Sequence, residues 1–124
     1  MTQRRISNVA GGASSGRSSE FALVHQAILA RKNITFVYED KLREVSPHIL
    51  GSKSGEETLL AYQFGGGSKS PLPEWRCFYL SKVREARLVG GPWRSGSEHR
   101  TTQRCVDEVY IDVNIDVPNQ PGRR

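Results

Sequence analysis

The chain has 124 residues, enough for one modest hydrophobic core and too few for two. Its 18 Lys and Arg against 13 Asp and Glu leave a formal charge of +5, which favours an anionic partner without requiring one. The opening MTQRRIS has no apolar run behind it and no long apolar stretch follows, which excludes a secretory signal, a spanning helix and a membrane partner; with only Cys77 and Cys105, the expectation is a reducing cytoplasm and two free thiols.

Residues 1–19 are mostly Ser, Gly, Arg and Ala, too few apolar groups to offset the entropy of ordering, so they read as a disordered arm. Ser18 or Ser19 then caps a helix over 20–32, with Glu20 in its first turn and Arg31 and Lys32 in its last. Phe21, Val24, Ala27 and Ile28 fall on one stripe of it. Ile34, Phe36 and Tyr38 alternate with Thr35 and Val37 as a strand, and Glu39 to Lys41 turns tightly into a second strand ending at Leu50. Pro47 implies an edge or a bulge in that second strand.

After a loop over 51–55, Leu60, Tyr62 and Phe64 alternate against Leu59, Ala61 and Gln63. A connection rich in Gly, Ser and Pro covers 65–73. The fourth strand, 75–83, puts Phe78 and Leu80 on one face and Trp75, Cys77 and Tyr79 on the other, and 86–89 makes a short fifth. One helix followed by five short strands suits a small, strongly bent antiparallel barrel over 20–93. Within 94–118, a polar linker leads to a regular alternation of Val109, Ile111, Val113, Ile115 and Val117, a strand that needs an edge in this chain or in a second copy; 119–124 reads as a disordered tail.

The segments REVSPHIL, LLAYQF and WRCFYLSKV, in that order after a helix, resemble the WYL domain, a small Sm-like β-barrel of bacterial regulators. The likeness covers residues 22–93 and rests most on Arg43, Val45 and Pro47 followed by Arg76, Phe78 and Leu80. Glu57, Thr58 and Leu59 stand where the naming Trp, Tyr and Leu would be, so two of the three signature residues are missing, and Tyr79 replaces a second arginine. The resemblance implies a regulatory, ligand-binding barrel that senses single-stranded nucleic acid or a nucleotide and docks on a regulatory protein. The helix-turn-helix that usually precedes such domains has no room here, which implies a freestanding sensor or a subunit-binding module.

Arg43, Arg76 and Lys82 are the expected phosphate-binding cations, joined by His48, with Tyr62 or Tyr79 to stack a base. The competing reading makes Arg43 and Arg76 partners of Glu44, Glu57 or Glu74 and places Tyr62 in the core. Trp75 and Trp93 invite a stacking role too, against which the favoured reading makes them covers for the ends of the barrel. No close Cys or His pair suggests a metal, and the GASSG string of the arm and the GGGSKS string of the loop lack the strand or helix context of catalytic motifs, so no enzyme, cofactor or metal is expected. The alternative function is a protein-interaction or homodimerisation module built on the C-terminal strand.

Overall fold

A computed structural model describes residues 17–96 and 103–117. The disorder expected over most of 1–19 and over 119–124 lies outside the described residues. The helix α1 runs Ser19–Ala30; Ser18 caps it, its side chain accepting from the Phe21 amide, and Arg31 ends it in the left-handed conformation. Arg31 and Lys32 therefore follow the last turn instead of occupying it. Phe21, Val24, Ala27 and Ile28 are the buried stripe, as their spacing predicts.

Six antiparallel strands form one sheet: β1 Asn33–Tyr38, β2 Lys41–Lys53, β3 Glu56–Gly66, β4 Glu74–Tyr79, β5 Arg84–Val89 and β6 Glu108–Asp112. The order is β4-β3-β2-β1-β5, with β6 on β2. Tyr38 pairs with Lys41 across a two-residue turn in which Glu39 and Asp40 both take positive φ, the hairpin geometry whose twist matches the strands. The expected loop at 51–55 shrinks to Ser54 and Gly55 because β2 stays paired to Lys53. At the other end of the sheet, β4 stops at Tyr79 and Leu80–Lys82 forms a 3-10 turn in place of the expected strand end.

The inner face of the sheet packs against α1. Ile34 and Phe36 of β1, Val45 and Leu50 of β2, Leu59 and Ala61 of β3 and Phe78 of β4 join the helix stripe in one core. The sheet bends enough for rings from strands far apart in its order to meet: Phe36 and Tyr38 each stand edge-on to Phe78 at 4.9 Å, and the Tyr38 hydroxyl accepts the Tyr79 amide. No ladder joins β4 to β5 among the described residues, so the sheet is strongly curved and not closed.

β2 carries the device that shapes the outer face. The β2 to β3 register shifts between Pro47 and Ile49, a bulge at the proline that cannot donate to a ladder. The extra residue puts His48 and Ile49 consecutively on the outer face: His48 packs on Trp75, and Ile49 clusters with Leu60. Beyond the bulge, β2 exchanges β1 for β6, with Ile49 opposite Asp112 and Ser52 opposite Glu108. Gly51 allows this approach, since a Cβ there would run into the Glu108 carbonyl and the Val106 side chain.

Two expectations for the C-terminal part are corrected. The strand foreseen over 109–117 ends at Asp112, whose side chain accepts from the Asn114 amide and starts a four-residue helix, α2 Val113–Asp116. Alternation persists in the sequence, but Asx capping at Asp112 outcompetes extension, and the edge that β6 needs lies within this chain. The thiols expected to be free are paired: Cys77 on β4 and Cys105 form a disulfide, with Cα atoms 5.4 Å apart. Their separation of 28 residues carried no sequence sign of the contact, because the bulge and the β2 to β6 pairing create it.

Candidate functional site

The six residues singled out from the sequence fall into three places. Arg43 and Arg76 lie on the inner face, where the register sets Arg43 opposite Phe36 and Arg76 opposite Ala61. Arg43 is 1% exposed. Its guanidinium donates twice to the Tyr38 carbonyl, at 3.1 and 3.3 Å, and once each to Gln63 Oε1 and Glu39 Oε1 at 3.4 Å. Burial pushes its pKa below the usual arginine value, nearby Arg76 adds to this, and Glu39 and Tyr38 oppose it.

Gln63 completes the tie by donating to the Gly65 and Gly67 carbonyls, so Arg43 binds the β1 to β2 turn and the 65–67 loop together. Arg76 donates to Glu74 Oε2 at 2.6 Å and to Ser68 Oγ, while Ser70 donates to the same carboxylate. The hydrogen bond from Ser70, and then the Arg76 guanidinium, hold the Glu74 carboxyl below its ordinary pKa against the opposing effect of burial. These two arginines are engaged within the protein, Arg43 wholly so.

Tyr79 and Lys82 sit at the far end of β4 and in the 3-10 turn after it, with the Lys82 ammonium 5.9 Å from the Tyr79 ring. They are not brought together with the other four. His48 and Tyr62 share the outer face, within an aromatic assembly that includes Trp75 and Trp93. Tyr62 stands opposite Trp75, its ring 5.0 Å away; the His48 ring stacks on Trp93 at 4.4 Å and meets Trp75 edge-on at 4.6 Å.

The segment after β5 is stitched to β2 to make one wall of this site. Asn33 Nδ2 donates to the Pro92 carbonyl, the Trp93 indole N–H to the Pro47 carbonyl, the Arg94 amide to Ser46 Oγ, and His48 Nε2 to the Arg94 carbonyl, at 2.9 to 3.2 Å. Asn33, Ser46 and His48 are among the buried polar residues, and these bonds satisfy a polar atom of each. The Arg94 guanidinium is thereby seated 3.7 Å over the Phe64 ring.

The product is an open cleft of about 680 Å³ whose lining includes Tyr62, Phe64, Trp93, Arg94 and Gly96. Gly96 belongs at its lip, at positive φ, where a Cβ would collide with Trp75 and Tyr62. Among the described residues Arg94 is the charged one in that lining, whereas two other clefts carry carboxylates, one lined by Arg17 with Glu57 and Glu108 and the other by Glu20, Glu56 and Glu57. Aromatic faces beside a cation, with no carboxylate, suit a planar base carrying an anionic group. No group of three or more His, Cys, Asp or Glu side chains is placed to hold a metal among the described residues, and no described helix is long and apolar enough to cross a membrane.

No protein-family profile matches the chain, and no curated protein matches it. Among solved structures it is similar to proteasome accessory factor B/C of Arthrobacter aurescens, with a TM-score of 0.51 and 24% identity over 69% of this chain and 13% of that one. The likeness is one of fold and supports a WYL-like fold here; the match spans a small part of the other protein's length.

Phe64 and Arg94 are the site members that sequence reasoning missed, while for Trp75 and Trp93 it weighs a stacking role and favours covering the barrel ends. Tyr62 and Phe64 alternate in β3 and Trp75 shares the outward parity of β4, so that much of the signal was present. Trp93 and Arg94 lie outside any strand, and only the hydrogen bonds to β2 bring them to the same face.

Proposed function

We propose that this chain is a non-enzymatic ligand-binding domain whose outer aromatic cleft takes a nucleotide or a short stretch of single-stranded nucleic acid. The observation that carries the reading is the cleft itself: Tyr62 and the Arg94 and Phe64 pair line it, with no acidic residue among the described lining residues. A base stacks on Tyr62 or on the guanidinium plane, and a phosphate meets Arg94. The WYL-like fold and the net charge of +5 fit this assignment. The inner arginines act in it as fold-holding groups, Arg43 being almost wholly buried and Arg76 paired with Glu74.

The cleft is built in advance. Four hydrogen bonds hold 92–94 to β1 and β2, so a ligand need not order that wall. Both tryptophans of the chain belong to the assembly, which makes intrinsic fluorescence a direct reporter. Titration of a labelled mixed-sequence single-stranded oligonucleotide, read by anisotropy and by tryptophan quenching, should give micromolar binding. With one phosphate met by Arg94, log affinity should fall with log salt at a slope of roughly −0.7. Absence of both signals at low salt would overturn the proposal.

A further inference from the structure

We propose that the Cys77–Cys105 disulfide is a redox-operated latch that holds the stretch 103–107 against the outer face and, through Trp75, sets the wall behind the aromatic cleft. Its effect on ligand affinity rests on the function proposed above; its effect on the protein itself does not.

The latch is defined by what lies on each side of it. Cys77 is an exposed residue of β4, two positions from Trp75 and on the same face. Cys105 is 7% exposed and, with Val106, covers Ile49 and Leu60 in a small apolar cluster separate from the main core. Trp75 packs against that cluster on one side and against His48 and Tyr62 on the other. A movement of the cover is therefore a movement beside Trp75.

Apart from the disulfide, hydrogen bonds and the junction with β6 hold the cover. Gln103 closes a turn by accepting from the Cys105 and Val106 amides, Asp107 donates to the Ser52 carbonyl, Lys53 reaches the Arg104 carbonyl, and β6 pairs with β2 over a short ladder. β6 itself is anchored without the tie, Ile111 in the main core and the Tyr110 ring against Phe21 and His25, so the disulfide governs the stretch 103–107, where Cys105 and Val106 are the buried residues and too few to hold it firmly on their own. The covalent tie closes a loop whose ends are 28 residues apart, and opening it returns that loop's freedom to the cover.

Opening requires a dithiol reductant. One of its thiolates attacks Sγ of exposed Cys77, forms a mixed disulfide there and expels the Cys105 thiolate, which takes a proton from water. The second thiol of the reductant then displaces Cys77, so that two electrons and two protons pass to the protein and the reductant leaves as a disulfide. In a reducing compartment the open form is the resting state, and oxidation closes the latch.

Amide hydrogen exchange of the wild-type chain, with and without a dithiol reductant, tests this directly, with thiol alkylation and mass spectrometry to count the reduced cysteines. Reduction should speed exchange across 105–107 on the order of 100-fold. It should leave β1 unchanged and, in a Trp93→Phe background, shift Trp75 emission to the red. Cys77→Ser should reproduce the reduced pattern without reductant. Reduced cysteines with unchanged exchange or unchanged Trp75 emission would overturn the latch. Oligonucleotide affinity should fall several-fold on reduction; if the oxidised protein binds no oligonucleotide, the function proposal fails while exchange and Trp75 emission still decide the latch. Loosened exchange with unaltered affinity in a protein that does bind would overturn the coupling to the cleft.

Discussion

Arg43 and Arg94 carry the same guanidinium, and each lies over aromatic rings, yet they sit in opposite situations. Arg43 lies 5.5 Å from the Tyr38 ring centroid, its donors consumed by a carbonyl, an amide and a carboxylate, and it is closed to solvent. Arg94 lies over Phe64 at the edge of an open cleft, with Pro92 as its side-chain acceptor among the described residues. The residue type is shared, and burial decides its role. A buried and saturated cation holds strands together; a partly open one beside stacked rings is placed to meet an anion.

That contrast can be broken from either side. The largest effect should come from Arg43→Met, which strands the Tyr38 carbonyl and Gln63 at the turn. Loss of a buried charged donor should cost about 2 to 4 kcal/mol in urea denaturation, with oligonucleotide affinity of the folded protein unchanged. Tyr62→Ala should do the reverse, weakening binding by about 1 to 3 kcal/mol, or roughly 5- to 150-fold, with a smaller loss of stability. Arg94→Gln should weaken binding less and reduce the salt slope by roughly 0.7, which a titration series in salt reads directly.

The smallest effect concerns pH. Glu74 has a depressed pKa in the folded protein, so its bonds with Ser70 and Arg76 contribute stability above its ordinary value of 4.5, and that contribution fades as pH falls through the lower folded value. Glu74→Gln should flatten the acid limb of the stability profile in that window and leave binding at neutral pH untouched.

The inner face was largely legible in the sequence. Ile34, Phe36 and Tyr38 alternate without interruption, and the helix stripe of Phe21, Val24, Ala27 and Ile28 matches its period, so strand, helix and buried faces followed from pattern alone. Even the bulge had a mark in Pro47. The outer face was not legible, because its members are assembled by irregularities. The bulge doubles the outward residues at His48 and Ile49, β6 replaces β1 along β2, and a coil segment delivers Trp93 and Arg94.

Grouping Arg43 and Tyr62 in one site failed for a related reason. The two residues lie on opposite faces of the sheet, and the β2 to β3 register that settles this shifts once between Glu44 and Val45 and again at Pro47. A strand pattern gives parity within a strand; it does not give the register between strands that decides which side chains meet.

The measurement that bears most directly on this account is an amide chemical-shift map of the isotope-labelled protein titrated with a short single-stranded oligonucleotide. The account predicts perturbations concentrated at Tyr62, Phe64, Trp75 and 93–96, including both indole N–H signals, with Arg43, Gln63 and Arg76 unaffected. Perturbations centred on Arg43, Gln63 and Arg76, with the indole signals unmoved, would contradict it and return the ligand to the inner mouth.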